Sequence, residues 1–300
     1  MELIRPGTQI EFMKKKNIAF ALSIALIVLS LTSIFFLKGI NYGIDFAGGT
    51  EVQVAFTDPV NTGDVRGAMD PIGLNNSIIQ RIGAPDDHEF LIRTPMMNEA
   101  SDDISQKIKG ALEGAFGGEK VDIRRIDMVG SAVSKDLKQK GFLSLFYAGI
   151  GILIYIWWRF EFKFSLGAIL ALIHDVIITV GIFSLTGKEI NLPVIAALLT
   201  IVGYSLNDTI VVFDRIRENL KKASGSFEFS SLLDNSISQT LSRTLLTSFT
   251  TLIVVLCLYL LGGSVIHDFA FALMVGIIVG TYSSIFIASP TLLIMSSGKK

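Results

Sequence analysis

The chain has 300 residues, of which 50% are hydrophobic and only 18% are charged, and its mean hydropathy is +0.56. A soluble domain of this length needs more surface charge, so the composition indicates a membrane protein with a smaller soluble part. The net charge of −1 argues against a nucleic-acid partner, and the single cysteine, Cys257, excludes an internal disulfide or a cysteine metal site. With only three scattered histidines, we expect no metal site and no bound cofactor.

The first predicted element is a membrane anchor. Residues 1–17 are polar and end in Lys14, Lys15 and Lys16, and residues 18–37 form an apolar stretch long enough for one helix to cross a bilayer. A basic segment before an apolar one is also typical of a cleaved signal peptide. The apolar stretch is long for a signal peptide, however, and no Ala-x-Ala cleavage site follows it. We therefore predict an uncleaved anchor with residues 1–17 in the cytoplasm.

Residues 38–141 carry most of the charge and are predicted to form a soluble domain. Strands are predicted at residues 51–56, 77–82, 89–93 and 121–128, helices at 61–69 and 101–116, and a turn at 83–87. The second helix has an apolar stripe, made of Ile104, Ile108, Leu112 and Phe116. The order β-α-β-β-α-β is that of the ferredoxin-like split βαβ fold.

The soluble segment contains no recognisable catalytic motif. A phosphate-binding loop, a histidine cluster and a serine–histidine pair are all absent from its sequence, so a packing or protein-binding domain is favoured over an enzyme. The glycines of GIDFAGGT, residues 43–50, indicate special backbone angles or close packing. A plain turn explains those glycines as well as a site does.

After a polar linker at residues 131–140, the chain is apolar almost to its end. Further spans are predicted at residues 142–158, 165–185, 192–213, 243–261 and 269–295, within a membrane region of 142–295. With the first span they make six transmembrane helices. Residues 296–300 form the C-terminal tail.

The charges of the short loops set the orientation of the spans. One side holds most of the basic residues, which are Lys14, Lys15, Lys16, Arg159, Lys163, Arg215, Arg217, Lys221, Lys222, Lys299 and Lys300. The opposite loops hold only Lys188 beside Glu189, and His267 beside Asp268. The positive-inside rule then places both termini in the cytoplasm and residues 38–141 outside. The predicted fold class is an α-helical polytopic membrane protein with an inserted α+β, ferredoxin-like extracytoplasmic domain.

The most informative residue is Asp208, inside the fourth span. A carboxylate in the middle of a membrane helix costs about 2.5–3.5 kcal/mol on insertion scales, so it must be paired, hydrated or functional. Asn207, Ser205, Tyr204 and Gly203 lie beside it in the sequence, and Gly203 would let another helix or water approach closely. An apolar environment favours the neutral acid, whereas a nearby cation favours the carboxylate. We therefore predict a proton carrier, with a structural helix contact as the alternative.

Arg243, near the predicted start of the fifth span, is the natural partner of Asp208. Arginine stays charged, so it would bias the carboxylate without carrying the proton itself. The alternative is an arginine that extends its charge to the membrane interface. Ser242, Thr244, Thr247 and Ser248 beside it could line a hydrated path or bond to their own helix.

Other polar groups allow two interpretations. His174 and Asp175 fall midway along the third span and point about 100° apart, so both can hardly face lipid. They fit a second relay element or a buried network that fixes helix packing, and the sequence favours neither. Asp214 and Glu218 near the basic cluster predict solvent-exposed pairs. Gly276-x-x-x-Gly280 in the last span predicts close helix packing.

Four segments resemble one known family. They are the glycine-rich segment with Gly43, Asp45, Gly48 and Gly49, ALIHD at residues 171–175, GYSLNDTIVVFDRIREN at 203–219 and SRTL at 242–245. In this order and over nearly the whole chain, they are similar to the SecF family, a branch of the SecD/SecF proteins in the resistance-nodulation-division (RND) superfamily. The segment in the fourth span is highly specific.

The resemblance implies an accessory subunit of the bacterial Sec translocase in the inner membrane, without a hydrolytic site of its own. The family pairs with SecD and is thought to use the proton-motive force to complete export of preproteins delivered by SecYEG and SecA. YajC, YidC, unfolded preproteins and membrane lipids are further expected partners, and the proton is the coupling ion. A full permease of the superfamily repeats the six-span unit twice, so one unit needs a partner.

The resemblance also implies roles for individual residues. The family's fourth-span aspartate and fifth-span arginine are assigned to proton passage, and they correspond to Asp208 and Arg243. Asn207 and Ser205 are expected beside this path, whereas His174 and Asp175 are carried over only as a secondary relay.

Two other functions are compatible with the residues. A small-molecule or lipid exporter of the RND superfamily would have an apolar binding cavity and would work without Sec partners. A passive scaffold, whose polar groups only fix helix packing, would keep its function with a neutral residue in place of Asp208.

Overall fold

The computed structural model describes residues 8–82, 87–95, 101–223 and 228–297. The described helices are α1 (Lys16–Thr32), α2 (Ile44–Ala47), α3 (Thr62–Met69), α4 (Ser101–Phe116), α5 (Ser131–Arg159), α6 (Phe162–Thr186), α7 (Leu192–Lys222), α8 (Phe229–Leu261), α9 (Gly263–Ser283) and α10 (Ser289–Ser297). The described strands are β1 (Asn41–Tyr42), β2 (Gly49–Phe56), β3 (Ile78–Ile82), β4 (Glu89–Thr94), β5 (Val121–Val129) and β6 (Glu189–Ile190). Most of the predicted turn at 83–87, and the basic residues Lys299 and Lys300, lie outside the described residues.

The chain divides into two compact units, a soluble unit of residues 42–142 and a membrane unit of residues 1–41 with 143–300. Six helical segments of the described chain are long and apolar enough to span a membrane: Met13–Leu37, Ser131–Arg159, Phe162–Thr186, Leu192–Lys222, Phe229–Leu261 and Val265–Ser296. The first continues α1 through a π-helical turn, and the last joins α9 to α10 through another. The predicted number of spans is confirmed, and the protein is a multi-pass membrane protein.

Several helices extend beyond the predicted spans. The segment expected to be a polar linker, residues 131–140, is the start of α5, so that prediction is wrong. Helix α8 begins at Phe229, which places Arg243 in the helix interior rather than near its start. Hydropathy marks only the part of a helix that lies in lipid, whereas residues such as Lys, Gln and Leu continue a helix into water. Helix α7 has 31 residues and is therefore about 46 Å long, well beyond the bilayer core.

The soluble unit is a four-stranded antiparallel sheet in the order β3-β4-β2-β5, with α3 and α4 supplying its helices. Val52, Val54 and Phe56 of β2 are buried, and they share a core with the predicted stripe of α4. Strand β2 has an irregularity between Gln53 and Val54, where its register with β5 shifts. Asn61 caps α3, because its Oδ1 accepts the N–H of Asp64 over 3.0 Å. The predicted ferredoxin-like β-α-β-β-α-β order is confirmed.

The glycine-rich segment forms a tight turn at the start of this unit. Gly43 is the N-cap of the short helix α2, and Gly48 and Gly49 follow that helix with φ angles of 75° and 127°. Residues with a side chain rarely adopt such φ angles, so the backbone here needs glycine at those two positions. The expectation of special backbone angles is met at Gly48 and Gly49, while Gly43 has an ordinary φ of −65°.

Small residues bring the helices of the membrane unit close together. A Cβ added to Gly276 of α9 would lie 2.3 Å from a side-chain carbon of Ile201, and one on Gly280 would lie 2.9 Å from Cβ of Ser205. The predicted close packing of the G-x-x-x-G motif is therefore present between α9 and α7. Gly181 of α6 meets Ser30 of α1 in the same way, at 2.1 Å. These contacts draw the polar residues of four helices together.

Candidate functional site

Asp208 lies on the buried side of α7, with only 2% of its surface exposed. The hydroxyl oxygen of Ser248 on α8 is 3.3 Å from Oδ2 of Asp208. The same oxygen is 2.7 Å from the hydroxyl oxygen of Thr281 on α9, and Thr281 donates to the carbonyl oxygen of Ile277 over 2.8 Å. A chain of polar groups therefore runs from Asp208 across three helices.

Arg243 does not form the direct ion pair with Asp208 that the sequence suggested. Its side chain is exposed, and none of its nitrogens lies within 4.0 Å of the carboxylate. It is still near enough to act on Asp208 electrostatically. Arg243 precedes Ser248 by five positions on α8, which turns it about 140° away from the direction of Ser248 around the helix. The guanidinium thus biases the site from its edge.

The two other residues predicted beside the proton path lie elsewhere. Ser205 is fully buried but donates its hydroxyl to Oδ2 of Asp175 over 2.6 Å, one turn before Asp208. Asn207 is exposed on the surface of the membrane unit. Gly203 is also exposed, and a Cβ there would have nothing within 4 Å, so none of the described helices makes the predicted close approach.

His174 and Asp175 form the centre of a second buried network. Asp175 is completely buried, and its Oδ2 accepts hydroxyl bonds from Ser205 over 2.6 Å and from Ser283 over 2.8 Å. Its Oδ1 is 2.8 Å from Nδ1 of His174. The network joins α6 to α7 and α9.

The other side of the histidine leads to α1. Nε2 of His174 is 3.2 Å from the hydroxyl of Ser23, which is 3.0 Å from the hydroxyl of Tyr282. Tyr282 donates to the carbonyl oxygen of Ala19 over 2.8 Å, and its ring stacks on His174 at 6.0 Å. A carbonyl can only accept, so this line of hydrogen bonds ends at the backbone of α1.

The direction of these bonds fixes the protons on the pair. Tyr282 uses its only proton on Ala19, so Ser23 must donate to Tyr282 and His174 must donate from Nε2 to Ser23. One proton then lies between Nδ1 of His174 and Oδ1 of Asp175. Whichever atom holds that proton, the pair is neutral as a whole, which lowers the cost of burying it.

Charged residues near the end of α7 form exposed pairs. Glu218 accepts from Lys222 over 2.7 Å and from Arg215 over 2.9 Å, and Asp214 lies 3.4 Å from Arg159. The spacing predicted i,i+4 pairing here, and Glu218 with Lys222 shows it. No group of three or more acidic, histidine or cysteine side chains suited to a metal occurs among the residues that the structure describes.

Sequence reasoning missed several residues of both networks. Thr281, Tyr282 and Ser283 stand in a run of four polar residues with Ser284 inside the last span, which is unusual in an otherwise apolar helix. Ser23 is one of three serines in the first span, with Ser30 and Ser33, and nothing in the sequence distinguishes it. Which hydroxyl meets which carboxylate depends on how the helices are rotated, and one sequence does not contain that information.

Comparisons with known proteins find similar sequences over nearly the whole chain. A family model described as the C-terminal part of the protein export membrane proteins SecD and SecF matches residues 108–298, and a model of the SecD/SecF GG motif matches residues 33–60. The chain is 48% identical over 285 residues to protein translocase subunit SecF of Desulfurispirillum indicum, covering 93% of this chain and 90% of that protein. It is 44% identical to the subunit of the same name from Vibrio alginolyticus, covering 96% and 90%.

Solved structures give the same result for the fold. The crystal structure of SecDF from Thermus thermophilus, described as a translocon-associated membrane protein, matches with a TM-score of 0.84 and 36% identity. That match covers 97% of this chain and 39% of the SecDF chain. SecDF in a super-membrane-facing form matches with a TM-score of 0.69 and 35% identity.

Proposed function

Because the chain belongs to the SecD/SecF family of protein export membrane proteins, we propose that it couples the proton-motive force to a late stage of preprotein export. It works as an accessory translocase subunit in the bacterial inner membrane, with both termini in the cytoplasm and the soluble unit on the opposite side. It hydrolyses no nucleotide itself. The coupling ion is the proton, and no other cofactor takes part.

The observation that carries this proposal is the burial of Asp208 in a membrane span, where Ser248 is its one hydroxyl neighbour among the described residues. A permanent carboxylate there would be poorly compensated, since Asp175 by comparison receives three hydrogen-bond partners. Taking up a proton removes that charge. Each proton that crosses 100 mV supplies about 2.3 kcal/mol, enough to bias a helix rearrangement between two states.

The proposed cycle has two halves. A proton from outside neutralises Asp208 and removes its attraction to Arg243, so α7 and α8 shift relative to their neighbours. Release of the proton to the cytoplasm restores the charge and the first arrangement. The soluble unit holds the emerging preprotein in one state and lets it advance in the other. The preprotein therefore does not slide back.

The membrane unit needs a partner, for which SecD is the candidate. Thr200, Gly203 and Asn207 on α7 and Arg243 on α8 are small or polar and exposed, although they lie in spans. Lipid solvates such residues poorly, whereas a second set of helices satisfies and packs against them. The chain matches only 39% of the SecDF chain of Thermus thermophilus, and this supports a partner that corresponds to the rest of that chain. SecYEG with SecA, and YajC or YidC, complete the proposed assembly.

The test is a pulse-chase of a secreted protein in cells that lack the native copy of this chain. We compare the wild-type chain with Asp208→Asn at equal membrane levels, with and without a protonophore. Asp214→Asn is the matched control, because Asp214 lies on the same helix but is exposed and paired with Arg159. We expect Asp208→Asn to reduce release to the level seen with protonophore, while Asp214→Asn behaves as wild type.

Other outcomes distinguish the alternatives. Normal, proton-dependent release with Asp208→Asn would reject the proton-carrier role and favour a scaffold. If even the wild-type chain made no difference to release, the export function itself would be wrong, and a small-molecule or lipid exporter would be the hypothesis to pursue.

A further inference from the structure

The hydrogen bonds around Asp208 require more protons than the hydroxyl groups can supply. Three contacts stand in line: Asp208 to Ser248 at 3.3 Å, Ser248 to Thr281 at 2.7 Å, and Thr281 to the carbonyl oxygen of Ile277 at 2.8 Å. Each contact needs one proton, and each hydroxyl has only one to donate. Two hydroxyls therefore satisfy two of the three contacts at a time, and all three are satisfied together only when Asp208 is a neutral acid that donates to Ser248.

We propose that Ser248 and Thr281 form a reversible hydroxyl chain that transmits the protonation state of Asp208 from α7 through α8 to α9. This inference rests on the proposed function, since it gives two further residues a part in the same proton site. Ser248 and Thr281 act as positioning residues. Their hydroxyl groups orient the proton of Asp208 by hydrogen bonds from α8 and α9.

The hydrogen bonds of the hydroxyl chain can point in two directions, and every proton is accounted for in both. When Asp208 is a carboxylate, Thr281 donates to Ser248, Ser248 donates to Oδ2 of Asp208, and the carbonyl of Ile277 loses its side-chain donor. When a proton arrives, a new O–H bond forms on Oδ2 and points to Ser248. The hydroxyl of Ser248 then turns to Thr281, and that of Thr281 turns to Ile277. The hydroxyls keep their protons, and only the proton on Asp208 is gained or lost.

The packing of α9 explains why rotation of hydroxyl groups is sufficient. Gly280, next to Thr281, meets Ser205 of α7 so closely that a Cβ would lie 2.9 Å from the serine side chain. That contact sets the spacing of α7 and α9 beside the hydroxyl chain. Ser248 and Thr281 already lie 2.7 Å apart in this arrangement, so their hydroxyl groups can change direction before α7 and α8 shift.

A second observation comes from the hydroxyl of Thr244. It is buried, with 2% of the residue exposed, and has no hydrogen-bond partner among the described residues. Thr244 lies one turn before Ser248 on the same buried side of α8. It is therefore closer to the N-terminal end of α8, which follows the basic end of α7 in the chain. A buried hydroxyl without a partner is costly, so it indicates a place for an ordered water molecule.

The groups that influence this site are few. Arg243 on α8 acts on Asp208 electrostatically, and the neutral His174–Asp175 pair on α6 reaches α7 through Ser205. On α9 the group in contact with the site is the Thr281 hydroxyl, which does not titrate. Substitution of Ser248 or Thr281 therefore changes the hydrogen bonds of Asp208 without changing any of these charges.

The test follows the carbonyl stretch of the protonated carboxylic acid by infrared spectroscopy. The full chain is reconstituted with its SecD partner, and spectra are recorded over a range of pH. The carbonyl band that is absent from the Asp208→Asn spectra is assigned to Asp208. Ser248→Ala leaves the carboxylate without a hydroxyl donor, so we expect half-protonation to move to higher pH by about one unit. Thr281→Val removes the hydroxyl that accepts from Ser248 when Asp208 is a neutral acid, so we expect half-protonation of Asp208 to move to lower pH.

Two control variants separate this effect from altered packing. Thr281→Ser keeps the hydroxyl and should titrate as wild type. Thr250→Val removes an exposed hydroxyl of α8 that bonds only within its own helix and should also leave the band unchanged. Opposite shifts for Ser248→Ala and Thr281→Val support the chain. Shifts in one direction, unchanged midpoints, or a wild-type protein without an Asp208 band would overturn it.

The spectroscopic result is separate from the export result. If Asp208→Asn abolishes proton-dependent release but Ser248→Ala and Thr281→Val titrate as wild type, the hydroxyl chain is wrong and the proposed function stands. If release with Asp208→Asn is normal, the proton-carrier role of Asp208 fails whatever the band shows.

Discussion

The two buried aspartates of the membrane unit are compensated very differently. Asp175 receives hydroxyl bonds from Ser205 and Ser283 on one oxygen and contacts His174 with the other. Within the described part of the chain, Asp208 has only Ser248 at hydrogen-bonding distance, with Arg243 farther away. Carboxyl groups with saturated hydrogen bonds hold structure together, whereas an under-compensated carboxyl gains most from a proton. At the residue scale we therefore assign proton coupling to Asp208 and helix positioning to Asp175.

This difference predicts that Asp175→Asn is tolerated. The asparagine NH₂ can donate to Nδ1 of His174 and its oxygen can accept from the two serines, which reproduces the neutral pair without a shared proton. We expect proton-dependent release to remain and the free energy of unfolding to fall by about 1 kcal/mol. Pulse-chase release and thermal unfolding in detergent measure the two quantities.

Asp175→Leu is the contrasting variant. It removes both acceptor oxygens and leaves the donors of Ser205 and His174 without this partner, while Ser283 keeps its contact with the carbonyl oxygen of Gly280. It should therefore destabilise the fold by about 3 kcal/mol or more. If Asp175→Asn instead lost proton-dependent release while remaining stably folded, Asp175 would be a proton carrier and the assignment would be reversed.

At the scale of elements, α7 is the helix around which the site is built. It supplies both Ser205 and Asp208, and its partners α6, α8 and α9 each contribute a side chain to one of the two networks. Its contact with α9 depends on glycine, since Gly276 faces Ile201 without room for a Cβ. The close approach is what lets short hydroxyl side chains reach across three helices.

We predict that Gly276→Ala destabilises the membrane unit. The new Cβ would lie 2.3 Å from a side-chain carbon of Ile201, near its backbone, so the helices must move apart. Overpacking of this kind costs about 1–3 kcal/mol. Gly151→Ala on α5 is the matched control, because a Cβ there meets nothing within 4 Å. Thermal unfolding in detergent measures both, and equal stability of the two variants would contradict the packing account.

The sequence predicted the elements better than their ends. Six spans and the β-α-β-β-α-β order follow from hydropathy and periodicity, and both were right. The starts of α5 at Ser131 and of α8 at Phe229 were missed, because the polar ends of these helices give no hydropathy signal. Helical propensity alone is too weak to mark such boundaries.

The sequence also predicts the candidate site only in part. Asp208 could be chosen from its insertion cost alone, which is a property of one residue in one helix. The partnership with Ser248, the distance to Arg243 and the bond of Ser205 to Asp175 depend on helix rotation and on the long α8. Those are tertiary facts, and periodicity within one helix does not determine them.

At the scale of the whole molecule, the membrane unit has two kinds of surface. Exposed side chains of α5 such as Phe146, Ile154 and Trp158 are apolar or aromatic and suit lipid. Exposed Asn207 on α7 and Arg243 on α8 do not. A proposed SecD partner that covers α7 and α8 would also remove Arg243 from lipid and bring its charge into a dry environment. There its effect on Asp208 becomes stronger, because the effective dielectric constant falls.

The most direct measurement is proton entry into liposomes that contain the chain with SecD, followed with an internal pH dye under an imposed membrane potential. We compare wild type, Asp208→Asn and the exposed control Asp214→Asn at equal protein content. The account predicts proton uptake for wild type and Asp214→Asn, and only lipid background for Asp208→Asn. Uptake by Asp208→Asn at the wild-type rate would contradict the claim that Asp208 carries the proton.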